Sequence, residues 1–226
     1  MRLLWIRRLA PVVAVLALAG CGAGDPGSGP EESPATSELE QDLNGAVVSI
    51  ENYWTTFLAS QGEQFQPVEA VLPYAGPDDG TCGGEPFVQN NAFFCPSENF
   101  IAYDANFIKQ QYESIGDAFV FYVIGHEYAH AVQDSLGISH RLTIEHELQA
   151  DCLAGAYLGD SVRGNDLTLE DGDLDELLNS LQSVGDQPGI PWFAEGAHGT
   201  GRQRTEAFTT GSAGTADGSS SVGNCF

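Results

Sequence analysis

The stretch AFVFYVIGHEYAHAV, residues 118–132, is apolar almost throughout, yet it holds two histidines and a glutamate in its middle. A segment apolar on all sides predicts a helix buried in a core. Burying ionisable side chains is costly unless something neutralises them. Whatever this chain folds into must therefore supply a partner for those three groups.

The three groups fall as His126-Glu127-Tyr128-Ala129-His130, an H-E-x-x-H pattern. Residues four apart share a helical face with about 6 Å between their Cβ atoms, so both imidazoles can reach one metal ion. The glutamate beside the first histidine can then take a proton from an activated water. Zinc, one ion per chain, is the partner this pattern predicts.

A catalytic zinc site needs a third protein ligand and keeps one position open. A third histidine six residues after His130, with a glycine midway, would mark the metzincin class. Those positions hold Leu136 and Gln133, which excludes it. The segment ELQAD offers Glu147 and Asp151, again four apart. Glu147 fits the third ligand, and Asp151 fits a carboxylate that accepts a hydrogen bond from a ligating histidine. Glu145 and His146 compete for the ligand position, but neither has a carboxylate four residues on. A solvated helical glutamate is the alternative for Glu147.

The start of the chain has a different character. Residues 1–20, MRLLWIRRLAPVVAVLALAG, have a basic start and then about a dozen apolar residues, the layout of an export signal. The run is short for a membrane span. LAGC, ending at Cys21, resembles the bacterial lipobox, which implies lipidation of Cys21 and attachment to a membrane. Residues 22–36 are rich in Gly, Pro, Ser and acids, so 21–36 is expected to be a flexible tether, with one domain over 37–226. Loss of the signal removes Arg2, Arg7 and Arg8, leaving five basic residues against 32 acidic ones and a formal charge of −27. Such a surface repels nucleic acid and anionic headgroups.

Within the domain, Leu39, Leu43, Val47, Ile50, Trp54, Phe57 and Leu58 have helical spacing, with Ser37 and Glu40 as a capping box. FVQNNAFF and NFIAYD read as a β-hairpin ahead of the apolar helix. Further helices are expected over about Thr143–Leu158 and over Thr168–Val184, the latter capped by Thr168 and Asp171. The alternating acids of EDGDLDE lack the glycine and distal glutamate of a calcium loop and suit a helix start. Tyr122 and Tyr128 read as core or rim aromatics, and His140 as a residue of a solvated turn.

Four cysteines remain besides Cys21, an even number that suits an oxidising compartment. Cys82 and Cys95 flank the first hairpin strand and are close in sequence, which leaves Cys152 for Cys225. Cys152 lies about 140° around the helix from Glu147 and so faces away from the metal.

HEYAHAVQ, ELQADCLAG and HGTGRQRTEAFTTG together resemble the three signature blocks of a bacterial family of neutral zinc metallopeptidases. The resemblance runs from roughly Val68 to the C-terminus. It implies an α+β, zincin-like fold, predominantly helical, with a small hairpin or sheet ahead of the active-site helix. It also implies His126, His130 and Glu147 as zinc ligands and Glu127 as general base, acting on a peptide or protein. The third block would lie beside the active site as a loop. There His198, flanked by Gly196 and Gly199, would be the donor to the developing oxyanion, with Arg204 a supporting cation; a surface-loop histidine is the alternative. Gly201-Arg202 departs from the family pattern, which has bulkier or more acidic residues there. Two classes of function follow: an exported, lipid-anchored zinc peptidase, or a non-catalytic zinc-stabilised binding or assembly protein of the cell envelope. An intact Glu127 favours the enzyme, because a structural zinc site needs no base.

Overall fold

The computed structural model describes residues 34–191 and 196–226, with side chains from residue 38 onward. The signal at 1–20, Cys21 and the tether as far as residue 33 lie outside the described residues. The apolar stripe of the first segment does form one face of a helix, α1 (Pro34–Ser60). Leu39, Leu43, Ile50, Trp54 and Leu58 are buried along it. The helix begins at Pro34, three residues before Ser37, so Ser37 lies inside it and is not its cap. Proline is well suited to a first helical turn, where its missing N–H has no partner to lose.

The sheet comes next. Strand β1 (Ala70–Tyr74) is followed by a two-residue ribbon, β2 (Thr81–Cys82) and β3 (Glu85–Pro86), then β4 (Ala92–Cys95) and β5 (Phe100–Asp104). β4 and β5 form the expected antiparallel hairpin, but its first strand starts only at Ala92. β1 pairs parallel to β5, which gives the order β1-β5-β4 and leaves β4 on an edge. Tyr74, Phe87, Phe93 and Phe100 make a small aromatic cluster at this sheet. The Cys82–Cys95 disulfide ties the ribbon to the end of β4.

Asp104 ends β5 and caps the next helix, α2 (Ala105–Ile115), by accepting from the backbone N–H groups of Asn106 and Phe107. The apolar helix is α3 (Ala118–Ser135), packed by α1, α2 and β4 and by two later helices, α4 (Thr143–Gly164) and α5 (Asp173–Ser183). Being enclosed on all sides explains its composition: Phe119, Val120, Ile124 and Ala129 are fully buried. α5 starts later than expected, at Asp173 with Gly172 as its cap; Thr168 and Asp171 precede it. None of the described helices is both long and apolar enough to cross a membrane.

The third signature block, expected as a loop, is one only over residues 198–200; from Gly201 it is a helix, α6 (Gly201–Ser212). Thr200 and Gln203 form its capping box. Glycine at three positions lets α6 lie directly on α4. A Cβ at Gly211 would fall on the carbonyl oxygen of Cys152, one at Gly155 on that of Phe208, and one at Gly159 within 2.6 Å of the carbonyl oxygen of Ser212. Gly201 is also required, since a Cβ there would meet the backbone Cα of Gln182 at 2.9 Å. The departure from the family pattern is thus a close contact between the start of α6 and the end of α5. Beyond α6 the chain closes with a 3-10 turn, Ser221–Cys225, in which Ser221 and Val222 are buried and Cys225 is bridged to Cys152.

Candidate metal centre

α3 and α4 bring the sequence-predicted groups together. Nε2 of His126 lies 3.1 Å from Nε2 of His130 and 3.1 Å from a Glu147 carboxylate oxygen. Nε2 of His130 is 3.5 Å from the other Glu147 oxygen. These three residues form one convergent donor group.

The remaining ring nitrogens are held from behind. Nδ1 of His126 donates to Asp151 at 2.9 Å. Nδ1 of His130 faces Oε1 of Gln133 at 2.8 Å. The Gln133 amide is oriented by its own donor end, which gives hydrogen bonds to the His146 carbonyl and to Oε1 of Gln149. Both Nδ1 atoms therefore carry hydrogen, and in the neutral rings both Nε2 atoms turn their lone pairs to the same point as the Glu147 carboxylate. Three mutually facing acceptors cannot satisfy one another; a divalent cation with N/O ligands can. The residues present fit zinc.

Electrostatics agree. Burial pulls His126 down, but Asp151 and Glu147 outweigh it and push the imidazole up to about 10. The carboxylates that favour a proton there favour a metal cation competing for the same place. Burial raises Glu147, but the His126 and His130 rings, which bond it through Nε2 only when protonated, prevail and hold it below the usual carboxylate range. Asp151 is likewise pushed up by burial and brought down further by Arg204.

Arg204, expected as a supporting cation beside the site, lines the same cavity as His126 and Glu147. It is buried, and its Nε and Nη2 atoms reach the two Asp151 oxygens at 2.8 and 2.9 Å, while Nη1 donates to the Val184 carbonyl. The group it supports is Asp151. Asp151 accepts from Tyr122 as well, at 2.8 Å. Tyr122 and Tyr128 are core residues, the latter hydrogen-bonded to Glu51.

Glu127 lies beside the donor group and is also buried. Burial raises its carboxyl, and the charges of His126 and His130 offset part of that rise. The backbone N–H of Phe94 on β4 donates to its Oε2 at 2.9 Å and fixes its direction. Glu127, His126, His130 and Glu147 all line a cavity of about 990 Å³, with Phe93, Phe94 and Phe107 among its apolar walls. His198 lines the same cavity; its ring is half-exposed, with Nδ1 3.8 Å from Asp186.

Of the rival third ligands, Glu145 is exposed and His146 stacks on the His130 ring with centroids 5.1 Å apart. His140 is half-buried and bonded to Gln149, so it is not a solvated turn residue. Sequence reasoning missed Gln133 and Gln149. Gln133 could have been found as a polar residue one turn beyond His130 in an apolar helix, where residues three apart are neighbours.

A family model described as "Putative neutral zinc metallopeptidase" matches residues 23–225. The chain is 30% identical over 204 residues to "Uncharacterized protein YpfJ" of Escherichia coli K12, covering 79% of this chain and 69% of that protein. It is 31% identical over 161 residues to "Uncharacterized protein Rv2575" of Mycobacterium tuberculosis, covering 58% of this chain and 55% of that protein. "Uncharacterized protein Mb2605" of Mycobacterium bovis matches to the same extent. No solved structure matches the chain. The match over nearly the whole domain, joined to the convergent His126, His130 and Glu147 donors, places this chain in the neutral zinc metallopeptidase family.

Proposed function

We propose that this protein is a zinc metallopeptidase that cleaves peptide bonds outside the cytoplasmic membrane, with Glu127 as general base. The observation that carries the reading is the position of Glu127. It is a buried carboxylate aligned by the Phe94 N–H, next to three converging donors, in a cavity open to a substrate. A zinc-stabilised binding protein would have no use for such a group.

His126, His130 and Glu147 would hold the ion, and Asp151 would fix the orientation of His126. When bound, zinc supplies Lewis acidity, which brings the acidity of water towards neutrality and polarises a carbonyl. Glu127 accepts the proton of the attacking water and delivers it to the leaving amine. Its raised proton affinity suits both transfers. His198 is assigned the role of donor to the oxyanion. The free edge of β4, from which Phe94 already directs its N–H at Glu127, suits an extended peptide laid alongside as an added strand.

Attachment through lipidated Cys21 completes the reading. A Cys21→Ala variant is expected in the soluble fraction of cells; persistence at the membrane would refute the anchor. For the activity, purified protein is stripped with a chelator, reloaded with zinc and incubated with a peptide library. Cleavage that disappears on stripping and returns on reloading supports the proposal. An intact library with a fully loaded protein refutes it and favours the binding-protein alternative.

A further inference from the structure

The domain holds five basic residues, Lys109, Arg141, Arg163, Arg202 and Arg204. Four of them are matched to a carboxylate: Lys109 to Glu113, Arg163 to Asp160, Arg202 to Glu206 and Arg204 to Asp151. Arg141 has no such partner among the described residues, although acids outnumber bases 32 to 8 in the whole sequence. Neither Asp134, on the wall of the same cavity, nor Glu145, one helical turn further on, pairs with it.

A solvated arginine needs no partner, so its place decides what it can do. Arg141 lines the cavity that holds His126, Glu127, His130 and Glu147, and it is exposed, which puts it at the mouth. It belongs to the short link between α3 and α4, the two helices that carry the donor group. That link is fixed. The Ile138 N–H donates to the Gln133 carbonyl at 2.8 Å, and the His140 ring bonds Gln149 at 2.8 Å. Leu142 caps α4, its carbonyl accepting from the Glu145 N–H at 3.1 Å. The backbone under Arg141 is therefore held on both sides, while the five N–H donors of its guanidinium stay available.

The charges around the cavity agree. Its acids are Glu127, Asp134 and Glu147, and its arginines are Arg141 and Arg204, the latter committed to Asp151. None of the other described acids lines the cavity, and their repulsion is screened beyond about 8 Å at physiological ionic strength. Arg141 is thus the arginine left to meet an anion that enters, and a planar guanidinium matches a carboxylate through two parallel N–H···O bonds. We propose that Arg141 is a specificity-determining residue, binding a carboxylate of the peptide that occupies the cavity, whether an acidic side chain or a free C-terminus. This rests on the reading of the cavity as a peptide site.

The probes are peptides of one apolar sequence in matched pairs: Glu against Gln at each successive position, and a free against an amidated C-terminus. Two ratios are read for each pair, kcat/KM with the zinc-loaded protein and affinity, by fluorescence anisotropy, with the metal-free protein. The parent is expected to prefer the carboxylate member of at least one pair by roughly fivefold, the upper range for an ion pair near solvent. Arg141→Gln is expected to bring that ratio close to one, Arg141→Glu to invert it, and high salt to shrink it. A response in a Glu and Gln pair identifies an acidic side chain as the source of the carboxylate; a response in the terminal pair identifies the C-terminus. Equal treatment of every pair by the parent overturns the proposal, and so does a preference that survives in Arg141→Gln. Cleavage without any such preference removes the role of Arg141 and leaves the peptidase reading standing. If the zinc-loaded protein cleaves nothing, the peptidase reading fails, and the affinity ratios decide on Arg141.

Discussion

Arg204 holds Asp151 through two contacts, 2.8 and 2.9 Å long, with both side chains buried. A buried carboxylate left alone carries a large desolvation penalty, and here it also orients His126. Arg204→Leu is therefore expected to destabilise the protein by about 3–5 kcal/mol in urea unfolding. Asp151→Asn, which keeps a side chain of the same shape, is expected to weaken zinc binding roughly ten- to a hundredfold. Unchanged zinc affinity in Asp151→Asn would remove Asp151 from the site.

That pair depends on how closely α6 approaches α4. Gly211→Ala places a methyl group on the Cys152 carbonyl and must push the helices apart. A loss of about 1–3 kcal/mol is expected, the usual range for overpacking. Gly45→Ala, at a helical position with open space, is the control and is expected to gain slightly, since alanine favours helix. Equal effects from the two would show that the α4–α6 contact is not tight.

Much of this arrangement was readable from residue spacing. The α1 stripe, the buried α3 and the shared faces of His126 with His130 and of Glu147 with Asp151 follow from helical geometry alone. Both disulfides join the expected partners. α2 was not readable because Ile108 is the only buried residue its pattern commits to the core. α6 was hidden by its glycines and threonines, which are poor helix formers, and it is held by tertiary contact with α4. The parallel pairing of β1 with β5 joins segments some thirty residues apart, and no local pattern encodes it. Arg204 and Gln149 have roles that arise only when distant segments meet; a linear reading could place Arg204 near the site but not assign its partner, and it gave no signal for Gln149.

A pH dependence follows from Asp160, which joins α4 to the tail and to α1. Burial raises its carboxyl, but hydrogen bonds from Ser220, Arg163, Tyr53 and Ser221 outweigh this and bring it below the usual value of 3.8. A carboxylate depressed in the folded state stabilises the protein above its unfolded pKa, and that contribution is lost as pH falls through the folded value. Asp160→Asn is expected to be less stable than the parent at pH 7, with the gap closing below about pH 4. A gap that stays constant from pH 7 to pH 3 would mean that Asp160 acts without its charge.

His198 is tested by kinetics. As a donor to the oxyanion alone, its replacement by alanine is expected to lower kcat roughly a hundredfold, with KM and zinc content nearly unchanged. A fall in zinc content would make it a ligand. No change in kcat would leave it as a residue of the cavity wall, in keeping with its half-exposed ring.

The most direct test of the whole account is Glu127→Gln. Glutamine keeps the size of the side chain and one oxygen to accept from the Phe94 N–H, but it carries no charge and cannot take a proton. The variant is expected to bind one zinc per chain as tightly as the parent, to melt at a similar temperature, and to cleave peptides several orders of magnitude more slowly. Cleavage within a few-fold of the parent, by a variant that is folded and zinc-loaded, would contradict the assignment of Glu127 as the base and with it the proposed hydrolysis.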